Sequence, residues 1–250
     1  MNVHVLKVKF NFNGKEDVLY PVILQNNSQL ILVDCGYAGF MPLIEEAAQR
    51  KGLNLQKLTG IIITHHDIDH MGSLAAFKEK YPNIKIYSSV IEERYIGGKE
   101  KSLRLTQAEE MYHTLPEEHK PGALYFQEML RSVHTVPVDH TLPEDESLIF
   151  MDAMKIIQTP GHMPGHISIY LEDSKTLIAA DAVVYEKGEL EIANPHFTLD
   201  LPEAVRSVSK LQAFDMATLV CYHGGVVEAN IQQGLHNLAL KYASAISSTR

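Results

Sequence analysis

Gly60-Ile61-Ile62-Ile63-Thr64-His65-His66-Asp67-Ile68-Asp69-His70 runs an apolar stretch straight into a dense group of imidazoles and carboxylates. The isoleucines read as a strand buried on both faces. The polar part is too short for a helical repeat. In extended chain, alternate side chains share a face, so His65, Asp67 and Asp69 point one way and a turn can bring His70 beside them. His66 then points to the opposite side, which suits a supporting or packing role. Imidazole and carboxylate are the ligands that hydrolytic metal centres use.

Working outward, four more segments put the same residue types at the ends of apolar runs: Asp34 after 30–33, His162 in Thr159-Pro160-Gly161-His162, Asp181 after 176–180, and His223 after 217–221. These can complete a pair of metal sites. Strand character also marks 3–10, 18–24, 58–63, 84–88, 154–158 and 167–171, with Asn13-Gly14 suited to a hairpin turn. Helical spacing marks 40–50, 71–79 and 230–244. Asp200-Leu201-Pro202-Glu203 has the spacing of a capping box opening a helix to Leu211. Residues 91–145 turn polar, helical and charge-rich, broken at Gly97-Gly98, Pro116 and Pro121. Strands in runs with helices set apart predict an α+β architecture of two sheets packed face to face.

The five segments, in this order, resemble the motifs of the metallo-β-lactamase superfamily, in its glyoxalase II and acyl-homoserine lactonase branch. The family's His-x-His-x-Asp-His stands here as His65-His66-Asp67-Ile68-Asp69-His70, with Asp67 where the second His usually lies. Leu32-Val33-Asp34-Cys35-Gly36, Thr159-Pro160-Gly161-His162-Met163-Pro164-Gly165-His166, Ala180-Asp181 and His223-Gly224-Gly225 carry the rest. The resemblance implies a single domain over 1–250, a four-layer αββα sandwich with its motifs on loops at one sheet edge. The helical segment at about 91–145 would be a substrate-capping insertion.

It also implies roles. His65, Asp67 and His162 would hold one divalent ion, Asp69, His70 and His223 a second, and Asp181 would bridge them. A hydroxide shared by the ions would attack the substrate, with Asp69 as the catalytic proton shuttle. Zinc is the family's habit. A third carboxylate at Asp67 makes manganese or iron plausible, because oxygen-rich sites suit harder metals. Asp34, His66 and His166 would support the ligands from behind. Asp34 serves equally as a strand-end cap. Tyr185, His196 and Tyr222 are candidates for substrate contact.

The expected function is dinuclear metal-dependent hydrolysis of a small-molecule ester, thioester, lactone or related bond. The alternative is a non-haem di-iron redox enzyme related to flavodiiron cores, where Glu replaces the same His. Those proteins carry a flavodoxin domain for which this chain has no room.

Composition bounds the rest. The 250 residues are 45% hydrophobic and 21% charged, with a formal net charge of −9. Nucleic acid is not an expected partner, since phosphate contacts need basic patches. No run approaches the ~18 apolar residues of a membrane span. Met1–Lys7 lacks the pattern of a signal peptide, and Cys35 and Cys221 form no disulfide framework, so the cytoplasm is the expected compartment. A small-molecule substrate is the expected partner, and a homodimer is left open. Cys221 reads as a small buried hydrophobe. Arg94, Lys99, Lys101 and Arg104, with Tyr95 and Tyr112, read as the solvated face of helices, with anionic substrate as the other option. Phe126, Met129 and Leu130 have the helical spacing to pack the insertion down, with the lining of an apolar pocket as the other option.

Overall fold

The computed structural model describes residues 1–12, 14–144 and 154–247, with side chains to 242. One sheet has six strands in the order β1 (Asn2–Val5), β4 (Val22–Gln25), β5 (Leu30–Val33), β6 (Gly60–Ile62), β7 (Lys85–Ser89) and β8 (His140–Leu142). The other runs β15 (Gly225–Val227), β14 (Thr218–Cys221), β11 (Thr176–Ala180), β10 (Ile167–Leu171) and β9 (Met154–Gln158). In the first sheet, β5 to β8 pair in parallel; β1, β4 and β5 pair antiparallel.

Period-2 alternation explains the layering. Leu24, Ile31, Val33 and Ile62 of the first sheet meet Ile156, Ile167, Ile169, Ile178 and Val220 of the second in one core. The intervening Ile23, Leu30, Leu32, Ile61 and Ile63 point outward. There they pack on α1 (Met41–Arg50) through Ile44, Ala47 and Ala48, and on α3 (Leu74–Lys80) through Leu74 and Phe77. On the far side, Ile157, Leu177, Ala179 and Leu219 meet α7 (Leu201–Leu211) and α8 (Ile231–Ser247) through Val205, Val208, Leu235 and Leu238. The result is an αββα sandwich in a single domain. Each fully buried aliphatic side chain contributes roughly 1.5–3 kcal/mol, so the two sheets and their helices stabilise the fold without needing the loops at their edge.

Several boundaries differ from the sequence expectation. The runs 3–10 and 18–24 are each broken, giving β1 and β2 (Val8–Phe12), then β3 (Lys15–Leu19) and β4. Pro21 has no N–H for a continuous ladder. β2 and β3 form a hairpin in which Phe12 pairs with Lys15; Gly14 has φ +82°, and Asn13 lies outside the described residues. The segment 91–145 is not wholly helical. It supplies α4 (Glu93–Ile96), α5 (Leu103–Tyr112) and α6 (Lys120–Arg131), and then β8, which pairs parallel to β7 as the sixth strand. Asp145 lies outside the described residues. Asp200 caps α7 by accepting from Glu203 N–H at 2.8 Å.

Candidate metal centre

The dense segment leaves β6 as extended chain and changes geometry at Asp67. Ile68–Met71 forms a single helical turn, α2, with Asp67 as its N-cap. His65 and Asp67 therefore share a direction as alternation requires. Asp69 and His70 arrive from the helical turn, not from continued extension, which corrects the sequence expectation for Asp69. Asp34 ends β5 with φ +58°, and Ala180 ends β11 with φ +48° beside a register shift against β14. Both are left-handed positions for residues with a Cβ, costing about 1–3 kcal/mol each. The bulge aims Asp181 off its strand and toward the histidines.

Two glycines set the remaining loops. A Cβ on Gly161, at φ +132°, would lie 2.2 Å from Ala204 N at the start of α7. A Cβ on Gly224, at φ +105°, would lie 1.9 Å from Tyr185 O. Without side chains, the His162 and His223 loops can approach that closely.

The structure brings all seven proposed ligands together. His65 Nε2 lies 3.4 Å from Asp67 Oδ2, and His162 Nε2 lies 2.9 Å from the same oxygen. His223 Nε2 is 3.1 Å from Asp69 Oδ2, and His70 Nε2 is 3.8 Å from it. Asp181 divides its oxygens: Oδ1 is 3.3 Å from His70 Nε2 and 3.6 Å from His223 Nε2, while Oδ2 is 3.6 Å from His162 Nε2. Ligands of a tetrahedral ion with bonds of about 2.0–2.2 Å stand roughly 3.4 Å apart, so the spacing fits. Among the described residues, the buried side-chain polar atoms without a hydrogen-bond partner are His65 Nε2, His70 Nε2, His162 Nδ1 and Asp181 Oδ1. Unpaired buried polar atoms are rare in folded proteins. Their concentration in one cluster fits a cation-binding site.

Tautomers follow from the partners behind. Thr64 donates through N–H to Asp34 Oδ1 and through its hydroxyl to Oδ2, both at 2.8 Å. The hydroxyl, 3.0 Å from His65 Nδ1, must accept from it, which leaves the His65 Nε2 lone pair facing the cluster. His70 Nδ1 lies 2.8 Å from Asp34 Oδ2 and so donates, which leaves its Nε2 free in the same way. Asp34 is thus used on the ligands instead of capping its own turn. His166 Nε2 accepts from Asp181 N–H at 3.1 Å while Nδ1 meets Thr159 Oγ1 at 2.8 Å. It holds the backbone of Asp181, and burial pushes its pKa down to about 3.

His66 does turn away, into a partner the sequence did not reveal. Glu92 is fully buried and accepts from His66 Nδ1 and from His66 N–H. Its other oxygen accepts from Gly165 N–H at 3.0 Å, so one carboxylate ties the His65 segment to the His162 loop. Leu103 N–H donates to His66 Nε2 at 3.2 Å, adding the start of α5. In sequence, Glu92 looks like any acidic residue of a helical surface.

Two substrate-contact candidates do not survive. Tyr222 is buried, and its hydroxyl donates to Asp69 O at 2.7 Å and accepts from Gly36 N–H at 3.2 Å. It braces the metal loops. The His196 side chain is exposed and outside the cavity above the cluster, whose wall is formed by its neighbour Phe197. Tyr185 does line that cavity, half-buried. Cys221 is buried, and burial, with Asp181 nearby, pushes its thiol well up.

A family model described as the metallo-beta-lactamase superfamily matches residues 20–223. The chain belongs to this superfamily. Curated relatives include a probable metallo-hydrolase, YflN, of Bacillus subtilis (strain 168), 31% identical over 232 residues covering 86% of this chain and 83% of that one. A hydroxyacylglutathione hydrolase of Rhizobium etli is 29% identical over 141 residues, 56% of this chain but 38% of that protein. Among solved structures, the metallo-beta-lactamase family protein TTHA1429 of Thermus thermophilus matches with a TM-score of 0.75 at 22% identity, covering 98% of this chain and 81% of that one. That likeness bears on the fold.

Within the superfamily pattern, the departure at Asp67 has a counterpart. Arg104 is 2% exposed, not part of a solvated face. Its Nε donates to Asp67 Oδ1 at 2.9 Å and its Nη2 to Oδ2 at 2.7 Å, a two-pronged pairing. Nη1 donates to Gln107 Oε1 at 2.5 Å and to Phe197 O. Burial alone would raise the Asp67 pKa, but Arg104, with His162 and His65, holds it well below the usual carboxylate range. Asp67, Asp69, Asp181 and Arg104 carry a net −2, the charge of the two carboxylates in the commoner pattern. The anionic excess that favoured manganese or iron is therefore cancelled by α5, although the oxygen donor remains.

Proposed function

We propose that this protein is a two-metal hydrolase of a small-molecule ester, thioester or lactone. The observation that carries the proposal is the division of the Asp181 oxygens between the His70/His223 and His162 groups, within a cluster whose free imidazole nitrogens converge. His65, Asp67 and His162 would hold one divalent ion and Asp69, His70 and His223 the other. When bound, the ions supply a water of lowered pKa and polarise the scissile carbonyl.

The chain's own residues do the rest. Asp69, half-buried at the cavity floor, is placed to take the proton of the attacking water and return it to the leaving group. Asp34 and Thr64 hold His70 and His65 in the tautomers that ligation needs. Tyr185, which borders the cavity, is the candidate donor for the developing oxyanion. Zinc follows from family habit. The redox alternative rests on a carboxylate at position 67, as in flavodiiron cores; the Arg104 pairing offsets its charge and leaves its oxygen donor in place.

The test is elemental analysis of purified protein followed by a panel of lactone, thioester (including S-lactoylglutathione), carboxylic ester and phosphodiester substrates. Two bound ions per chain with turnover of carbonyl substrates is expected. Turnover of none of them, or oxygen uptake by an iron-loaded form, would defeat the proposal.

A further inference from the structure

The cavity above the metal cluster, about 480 Å³, has walls of two kinds. Phe12 and Tyr37 stack with ring centroids 6.4 Å apart on the side of the β2–β3 hairpin. Phe126 and Phe197 lie 6.0 Å apart on the side of the cap, and Met129 and Val184 extend the apolar surface. Phe12 is 47% exposed and Phe197 37% exposed at the opening. Large aromatic groups left partly open beside a cleft mark a surface that a ligand covers.

The charges point the same way. Among the described residues lining this cavity, the cationic one is Arg104, and Asp67 already occupies its guanidinium. Asp17 and Glu186, both exposed, add carboxylates to the wall. The cap's other cations are elsewhere: Lys99 pairs with Glu93, Lys101 with Glu109 and Arg94 with Glu100. Lys99 and Lys101 border a different pocket, beside His66 and Tyr95. Among the described residues lining the cavity, an anionic substrate tail would meet aromatic rings and two carboxylates, with no lysine and no second arginine to pair with.

We infer that the substrate carries an uncharged, apolar group of medium length, held between the Phe12/Tyr37 and Phe126/Phe197 pairs, and that Asp17 and Glu186 select against substrates with a free carboxylate. This rests on the hydrolase reading of the same site and narrows it. Peptide thioesters bearing free carboxylates and phosphodiesters are then poor substrates, whereas neutral acyl esters and lactones are good ones.

Hydroxamates test the inference without requiring turnover, because every member of a series presents the same metal-binding head. Zinc-loaded protein is titrated calorimetrically with butano-, hexano- and octanohydroxamate and with suberic monohydroxamate, which carries a carboxylate in place of the terminal methyl of the same eight-carbon chain. Affinity should rise about two- to fourfold per methylene, as burial of CH2 groups requires. Suberic monohydroxamate should bind at least ~10-fold more weakly than octanohydroxamate, and Glu186→Lys should narrow that gap by about fivefold or more. Phe126→Ala should flatten the rise with chain length. Affinities level along the series, or a carboxylated chain bound as tightly as the neutral one, would overturn the inference. Failure of the hydrolase reading would look different: the hydroxamate trend would hold while no ester or lactone was turned over.

Discussion

Replacing Asp67 by His restores the commoner superfamily pattern, and the structure says that this alone should do harm. Arg104 is buried, and two of its five donors go to the Asp67 carboxylate at 2.9 and 2.7 Å. In Asp67→His the guanidinium keeps Gln107, the Phe197 carbonyl and the nearby His162 Nε2 but loses its paired carboxylate, with Asp69 and Asp181 as the remaining charges near it. Removing one partner of a buried ion pair costs about 3–5 kcal/mol, because the other is left desolvated and unpaired. Arg104→Leu should also destabilise, because it leaves the buried Asp67 carboxylate with only His162 and His65 beside it. The double variant Asp67→His/Arg104→Leu strands neither and replaces the guanidinium with packing. It should recover about 2–3 kcal/mol relative to either single change, so the costs of the two single changes should be strongly non-additive.

Urea unfolding of the four chelator-treated proteins measures this cycle, since it needs neither metal nor substrate. Metal counts give an independent reading. Asp67→His changes the local charge from −2 to −1 and leaves a guanidinium beside the site, so it should bind less zinc than wild type. The double variant, again at −2, should regain two ions. If Asp67→His alone unfolds at the wild-type urea concentration and holds two zinc ions, Arg104 is not the compensating charge, and the account of Asp67 falls with it.

Other consequences follow from the same contacts. Glu92→Ala, though remote from any proposed ligand atom, should destabilise the protein by about 3 kcal/mol by leaving His66 and the Gly165 N–H without an acceptor, and should weaken zinc retention in a chelator competition. Chelation should lower the melting temperature of wild type but barely that of Asp181→Ala, because ligand-linked stability, about 4 kcal/mol at 1,000 times Kd, needs a formed site; equal shifts would count against Asp181 as a ligand. His166 has a folded pKa of about 3 against ~6.5 unfolded, so only the unfolded chain takes up its proton between those values. Metal-free wild type should therefore lose up to about 1.4 kcal/mol per pH unit from this residue as pH falls from ~6.5 toward ~3, and His166→Gln should lack that component in pH-dependent unfolding. Tyr185→Phe should lower kcat on a good ester by about 10²-fold with little change in KM, as loss of one oxyanion donor does; a pure KM effect would make Tyr185 a binding wall only.

What was legible in the sequence was what local periodicity encodes. β5, β9, β10 and β11 lie where their apolar runs predict, and the motif residues sit at their ends because a strand delivers its last side chain to the sheet edge. What was hidden depends on neighbours distant in sequence. His140–Leu142 is too short to show a period of its own and becomes a strand by pairing with β7. Tyr222 and His196 looked equivalent as polar residues near metal loops. One is buried beneath the loops and the other is turned to solvent, a difference set by packing that no local pattern carries.

Arg104 and Glu92 show the same limit in charged residues. Both lie in a segment with the composition of a solvated helical surface, and there Arg94, Lys99 and Lys101 behave as that composition predicts, in exposed pairs worth little. Arg104 differs because Asp67, 37 residues earlier, pairs with it directly and, with Asp69 and Asp181 nearby, makes burying a guanidinium tolerable. The odd residue in the metal motif was thus half of the information, and its partner was the other half. An extra carboxylate at position 67 pointed to a change of metal; a carboxylate matched by a buried arginine points to a site whose charge is preserved and to which α5 is fastened directly, through a proposed metal ligand.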